Sequence, residues 1–80
     1  MDEINQRRIR WKCRRGMLEL DILLLNFFDR HFAQLTPQEQ QLFEKLLEEE
    51  DVHLFDWLMH ADEPRDPALK ELIHKIAENK

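Results

Sequence analysis

The 80-residue sequence contains no serine, no tyrosine, a single threonine, a single cysteine, one glycine and three prolines. Each scarcity removes a class of explanation. With no serine, the threonine placed as a helix cap and one thiol, nucleophilic catalysis is poorly supplied. No glycine-rich loop exists to cradle a phosphate, so an enzyme is not expected. One cysteine forms no internal disulfide, and Cys13 fits a reducing compartment as an inert, helix-borne thiol. The densest apolar run, ILLLNFF between Asp21 and Asp29, falls far short of the roughly 20 residues that span a bilayer. The opening stretch MDEINQRRIRWK lacks the apolar segment of a signal peptide, and its two acids argue against a transit peptide. A cytoplasmic location without membrane insertion is the expectation.

The scarcity of glycine, proline and β-branched residues also removes strand alternation and hairpin turns, leaving helix as the only pattern. The expected fold is all-α: a compact five-helix antiparallel bundle over residues 1–80, with a short basic helix at its N-terminus. That first helix, about residues 2–14, carries only Ile4, Ile9, Trp11 and Cys13 as apolar members, so its core stripe is thin. A second segment, about residues 17–32, is apolar on nearly all sides and reads as a buried helix. TPQEQ then signals a helix start, with Thr36 as N-cap, Pro37 at the first helical position and Glu39 completing a capping box. This third helix runs to about Glu49. Asp51 caps a short fourth helix ending near His60, and Trp57 and the Phe27-Phe28 pair belong to the core. ADEPRDP is the clearest loop, after which Asp66 and Pro67 open a last helix with a stripe of Leu69, Leu72, Ile73 and Ile76.

Charge is uneven. Residues 1–16 hold six basic and two acidic side chains, net +4, while the rest hold six basic and fifteen acidic ones, net −9. Arginines with an interleaved tryptophan in RRIRWKCRR suggest a phosphate-binding stripe. However, residues 7, 8, 10, 12, 14 and 15 point around the helix, and the acidic body would repel DNA; nucleic acid is not the expected partner. The four histidines do not share metal-ligand spacing. His53 and His60 lie about 10 Å apart along a helix axis, His31 and His74 fall in other segments, and no metal site is expected. Asp56 and His60, four apart, suit a surface pair, as do Lys45 and Glu49.

The one glycine sits in CRRGMLELD. Arg14 and Arg15 stand at the negative end of one helix, Gly16 turns the chain through the left-handed conformation, and Glu19 and Asp21 open the next helix at its positive end. Capping alone does not require such clustering. A break at Gly16 separates Arg15 from Glu19 and leaves opposite charges beside a bare backbone corner that another protein could approach closely.

At these residues the sequence resembles the small succinate dehydrogenase assembly factors, the flavinylation factors of the SdhE/YgfY type, whose hallmark is Arg-Gly-x-x-Glu. Arg15, Gly16, Met17, Leu18 and Glu19 match it. The resemblance extends through RIRWKCRRGMLELDI, Phe27-Phe28, LFEKLLE, Asp51 and LFDWLM, and so covers most of the chain. It departs at EEEDVHL, where relatives often carry an Asp-Pro-Asp-like turn. The resemblance implies a non-catalytic chaperone that binds the flavoprotein subunit of succinate dehydrogenase or fumarate reductase and promotes covalent FAD attachment there; no cofactor held stably by the factor itself, and a monomer, are the expectations. It places Arg15, Gly16 and Glu19 at the partner contact, with Arg8, Trp11 and Asp21 flanking them. An antitoxin-like or nucleic-acid-binding regulatory module is the alternative.

Overall fold

The computed structural model describes residues 3–79, so Met1, Asp2 and Lys80, including the expected helix start at residue 2, lie outside it. Among the described residues five α-helices follow one another: α1 Glu3–Lys12, α2 Leu18–His31, α3 Pro37–Leu46, α4 Asp51–Leu58 and α5 Pro67–Glu78, with a 3₁₀ turn at Phe32–Gln34. No strand occurs among the described residues. The fold is an all-α helical bundle, as the sequence pattern requires.

The expected start signals form as their chemistry dictates. Thr36 Oγ1 accepts from the Glu39 amide at 3.2 Å while Glu39 Oε1 accepts from the Thr36 amide at 3.0 Å, satisfying two donors that the helix itself leaves free. Asp66 caps α5 by accepting from the Ala68 amide at 2.9 Å, with Pro67 next in line. Leu69, Leu72, Ile73 and Ile76 are all buried, and α5 packs against α2, α3 and α4. The centre holds Phe27, Phe28, Phe32 and Phe43, with Phe28 and Phe32 stacked at 4.5 Å and Phe43 meeting the edge of Phe32 at 5.7 Å. Trp57 packs against the hydrophobic core from a half-buried position.

Several boundaries differ from expectation, each for a physical reason. The chain leaves α-geometry at Phe32, whose carbonyl accepts both from the Leu35 amide in the 3₁₀ turn and from the buried Gln40 side chain at 3.0 Å. Helix α3 ends at Leu46, three residues early, because the Glu48 and Glu49 amides tighten onto Lys45 and Leu46. Glu50, not Asp51, occupies the N-cap of α4, and Asp51 is its first helical residue. The Asp56–His60 pair does not form: His60 adopts a left-handed φ of 61° and lies edge-on to His74, 5.9 Å away. Glu49 faces His53 instead of Lys45.

Helix α2 is not buried all round. Leu20, Leu24, Phe27 and Phe28 face the core, but Leu18 and Ile22 are 69% and 50% exposed. At about 100° per residue they fall on the side of the helix opposite Leu20. Helix α1 is held as its thin stripe implies, by Ile9 and by Cys13 just beyond it, both fully buried. Ion pairs supply the rest: Arg10 with Asp29 on α2, and Arg8 and Lys12 with Glu44 on α3.

Candidate docking corner

Helix α1 closes before the glycine. Bonds from the Cys13 amide to the Arg10 carbonyl and from the Arg14 amide to the Trp11 carbonyl tighten its last turn. Gly16 therefore turns the connection instead of capping the helix directly. Its φ is +83°, and a Cβ there would meet nothing within 4 Å. The glycine is required by backbone conformation, because an L-residue in the left-handed region brings its Cβ against its own carbonyl, and not by lack of room. Beyond it, Met17 is extended and its carbonyl accepts from the Asp21 amide at 2.9 Å, starting α2 without a side-chain cap.

Arg15 is the most engaged side chain of this stretch. Its Nε donates to Asp51 Oδ1 at 2.8 Å, Nη1 to the Lys12 carbonyl at 3.2 Å and the Leu47 carbonyl at 2.6 Å, and Nη2 to the Glu49 carbonyl at 2.6 Å. One guanidinium thus satisfies carbonyls at the C-terminal ends of both α1 and α3 and binds a carboxylate at the N-terminus of α4, all places where helix dipoles favour these signs. The backbone amide of Arg15 donates to Asp21. Only 15% of the arginine side chain is exposed.

The six residues expected at a partner contact fall into two groups. Gly16, Glu19 and Trp11 are exposed, Trp11 by 71%. Glu19 forms no ion pair among the described residues, since Arg15 turns to Asp51 and not to it. The Arg15 side chain turns to Asp51 and the α3 carbonyls, Asp21 accepts from the Arg15 amide, and Arg8 is paired with Glu44 at 2.7 Å. Sequence reasoning missed Leu18, Ile22 and Arg14. Leu18 and Ile22 border the corner as an exposed apolar pair, and Arg14 lies 5.7 Å over the Trp11 ring. A wheel projection of α2 could have separated Leu18 and Ile22 from the core stripe; nothing in the sequence singles out Arg14 from its neighbours.

The basic helix is largely neutralised from within. Arg7 pairs with Glu3, Arg8 and Lys12 with Glu44, Arg10 with Asp29 and Arg15 with Asp51. The stripe that resembled a phosphate-binding surface is thus mostly spent on the protein's own carboxylates. Cys13 is fully buried and its Sγ donates to the Ile9 carbonyl at 3.6 Å. Burial pushes its thiol up to about 12, which fits an inert thiol. Among the described residues no group of three His, Cys, Asp or Glu side chains is placed to hold a metal. A hollow of about 340 Å³ lies elsewhere, between Phe27, His31, Leu35, Glu39 and Lys75, and includes none of the six corner residues.

A small helical bundle with an open glycine turn, an unpaired carboxylate and exposed apolar side chains around it has the features of a protein-binding module. Residues 7–80 match the family described as "Flavinator of succinate dehydrogenase". The FAD assembly factor SdhE of Coxiella burnetii is 45% identical over 75 residues, covering 94% of this chain and 92% of that protein. The proteins of the same name from Pectobacterium atrosepticum and Yersinia pseudotuberculosis are 43% and 45% identical over 76 residues, 95% of this chain and 86% of each relative. The chain belongs to this family of succinate dehydrogenase flavinators, a family of assembly factors.

Proposed function

We propose that the protein is a non-catalytic assembly factor that binds the flavoprotein subunit of succinate dehydrogenase, or of the related fumarate reductase, and promotes covalent attachment of FAD to that subunit. Family membership supports the class of activity. The observation that carries the site is the juxtaposition of the exposed Gly16 turn with the exposed, unpaired Glu19 and the apolar flank of Leu18 and Ile22. A turn without a side chain lets a partner approach the backbone, Glu19 offers a charge not consumed internally, and the apolar residues offer area to bury. Trp11, with Arg14 over its ring, extends this face onto the end of α1.

The factor acts by holding the flavoprotein in the geometry for bond formation while FAD is bound there non-covalently. Preorganisation of this kind accelerates a reaction without a catalytic group on the helper. FAD stays with the partner and the factor keeps none. It works as a cytoplasmic monomer; no helix among the described residues is long and apolar enough to cross a membrane.

Gly16→Arg tests the reading. A side chain at that turn obstructs the partner while the core, which the turn does not enter, keeps its packing. Loss of flavoprotein binding and of covalent FAD in the presence of a folded variant is the expected result; normal flavinylation by the variant removes the corner from the contact. Glu19→Ala weakens binding without altering the free protein, and an unchanged affinity removes Glu19.

A further inference from the structure

A docking corner made of backbone is only as specific as its shape is fixed, and five connecting residues, 13–17, do not fix themselves. Two carboxylates hold this one. Asp21, in the first turn of α2, accepts from the Arg15 amide, and Asp51, at the start of α4, accepts from the Arg15 guanidinium at 2.8 Å. The remaining guanidinium bonds go to carbonyls at Lys12, Leu47 and Glu49, so four of its five donors are taken within the molecule. An arginine reaching for a partner would abandon those carbonyls, and unsatisfied groups in a part-buried site are costly. The motif arginine is therefore bound inward, 36 residues away in sequence from the carboxylate that orients it.

We infer that Asp51 is a positioning residue for the docking corner: acting through Arg15, it ties the Gly16 turn to the α3–α4 junction and so presents Gly16 and Glu19 in one fixed arrangement. Arg15 serves as the strut, and its fork geometry matters as much as its charge. Lysine, whose three donors sit on one nitrogen, cannot reach Asp51 and three carbonyls together. The role for the corner's shape stands on geometry alone; the role in docking rests on the proposed binding of the flavoprotein.

The test uses the full chain carrying Asp51→Ala, Asp51→Asn, Asp51→Glu or Arg15→Lys, with two readouts. In the free protein, amide exchange at Arg15 and Asp21, the two hydrogen-bonded amides of the corner, is expected to speed up about tenfold or more in Asp51→Ala and Arg15→Lys, with α5 unaffected. Affinity for the flavoprotein subunit is expected to fall by a similar factor. Asp51→Asn, which keeps shape and one acceptor, lies between, and Asp51→Glu, which keeps the carboxylate, recovers most of the loss. Should Asp51→Ala not fold, Asp51→Asn carries both readouts. Unchanged corner exchange in the alanine variant overturns the inference whatever the partner does. A loosened corner with undiminished affinity, while Gly16→Arg abolishes binding, overturns the positioning role and leaves the docking reading standing. If Gly16→Arg binds normally, the docking reading falls, and the positioning role in docking falls with it.

Discussion

Arg10 lies against Asp29 through two parallel hydrogen bonds, Nε to Oδ1 at 2.9 Å and Nη2 to Oδ2 at 3.0 Å, joining α1 to the last turn of α2. The arrangement raises Arg10 above and holds Asp29 below its ordinary range, in each case chiefly through the hydrogen bond between them. Both side chains are about half exposed, at 47% and 49%, so the pair is worth less than about 1 kcal/mol despite its geometry. Asp29→Asn is therefore expected to change global stability little. Its effect falls on α1, which has few other ties, and amide exchange across Ile4 to Lys12 should quicken while α5 keeps its protection.

Gly16→Ala isolates conformation from bulk. Since nothing lies within 4 Å of the added Cβ, the cost is that of holding an L-residue at φ +83°, about 1–2 kcal/mol. Denaturant unfolding should show a loss of that size with an unchanged m-value. A loss above about 3 kcal/mol would mean that the turn is packed more tightly than its surroundings indicate.

Glu39 gives α3 a pH dependence. Its carboxylate accepts from Lys75 on α5 at 2.8 Å and from the Thr36 amide, and these bonds, Lys75 first, lower it from 4.5 to about 2. A folded value below the unfolded one stabilises the fold above about pH 4.5, and this stabilisation is lost as pH falls towards 2. Glu39→Gln should flatten that part of the stability profile while leaving the acid limb due to other carboxylates. An identical profile in the variant would show that the bonds do not persist in solution.

Phe43 contacts Phe27, Phe28 and Phe32 at ring distances of 5.8, 6.2 and 5.7 Å and is fully buried. Phe43→Ala leaves a cavity costing about 3–5 kcal/mol. A core of this size leaves a net stability of only about 3–5 kcal/mol. The variant is expected to lose its cooperative thermal transition near room temperature, and a transition close to that of the parent would contradict the packing.

Cys13 should be silent to thiol reagents in the folded protein. It is fully buried, with burial pushing its thiol up to about 12. Labelling at neutral pH should proceed only at the rate of unfolding and become fast in denaturant. Rapid labelling of the native protein would show that the end of α1 opens readily.

The helices were legible where chemistry is local. Thr36 and Glu39 sit three residues apart, Asp66 stands directly before Pro67, and the stripe of α5 repeats with the helix period, so neighbouring residues alone specify those elements. The end of α3 was not legible: its last turn tightens onto the Lys45 and Leu46 carbonyls, and the Leu47 and Glu49 carbonyls just beyond it are satisfied by Arg15, more than thirty residues earlier in the chain. Nor was the exposed edge of α2 evident in an apolar run dense enough to read as buried throughout.

By itself the sequence determined the all-α class, the caps, the core stripe of α5 and the Arg-Gly-x-x-Glu corner, since each depends on spacings within a turn or two or on a backbone that only glycine adopts freely. Tertiary structure alone decided what the charges of that corner do. A charge on a helix end has many reachable partners, and which one it meets depends on the packing of distant elements. Here packing gives Arg15 to Asp51 and the α3 carbonyls, gives Asp21 to the Arg15 amide, and leaves Glu19 facing outward.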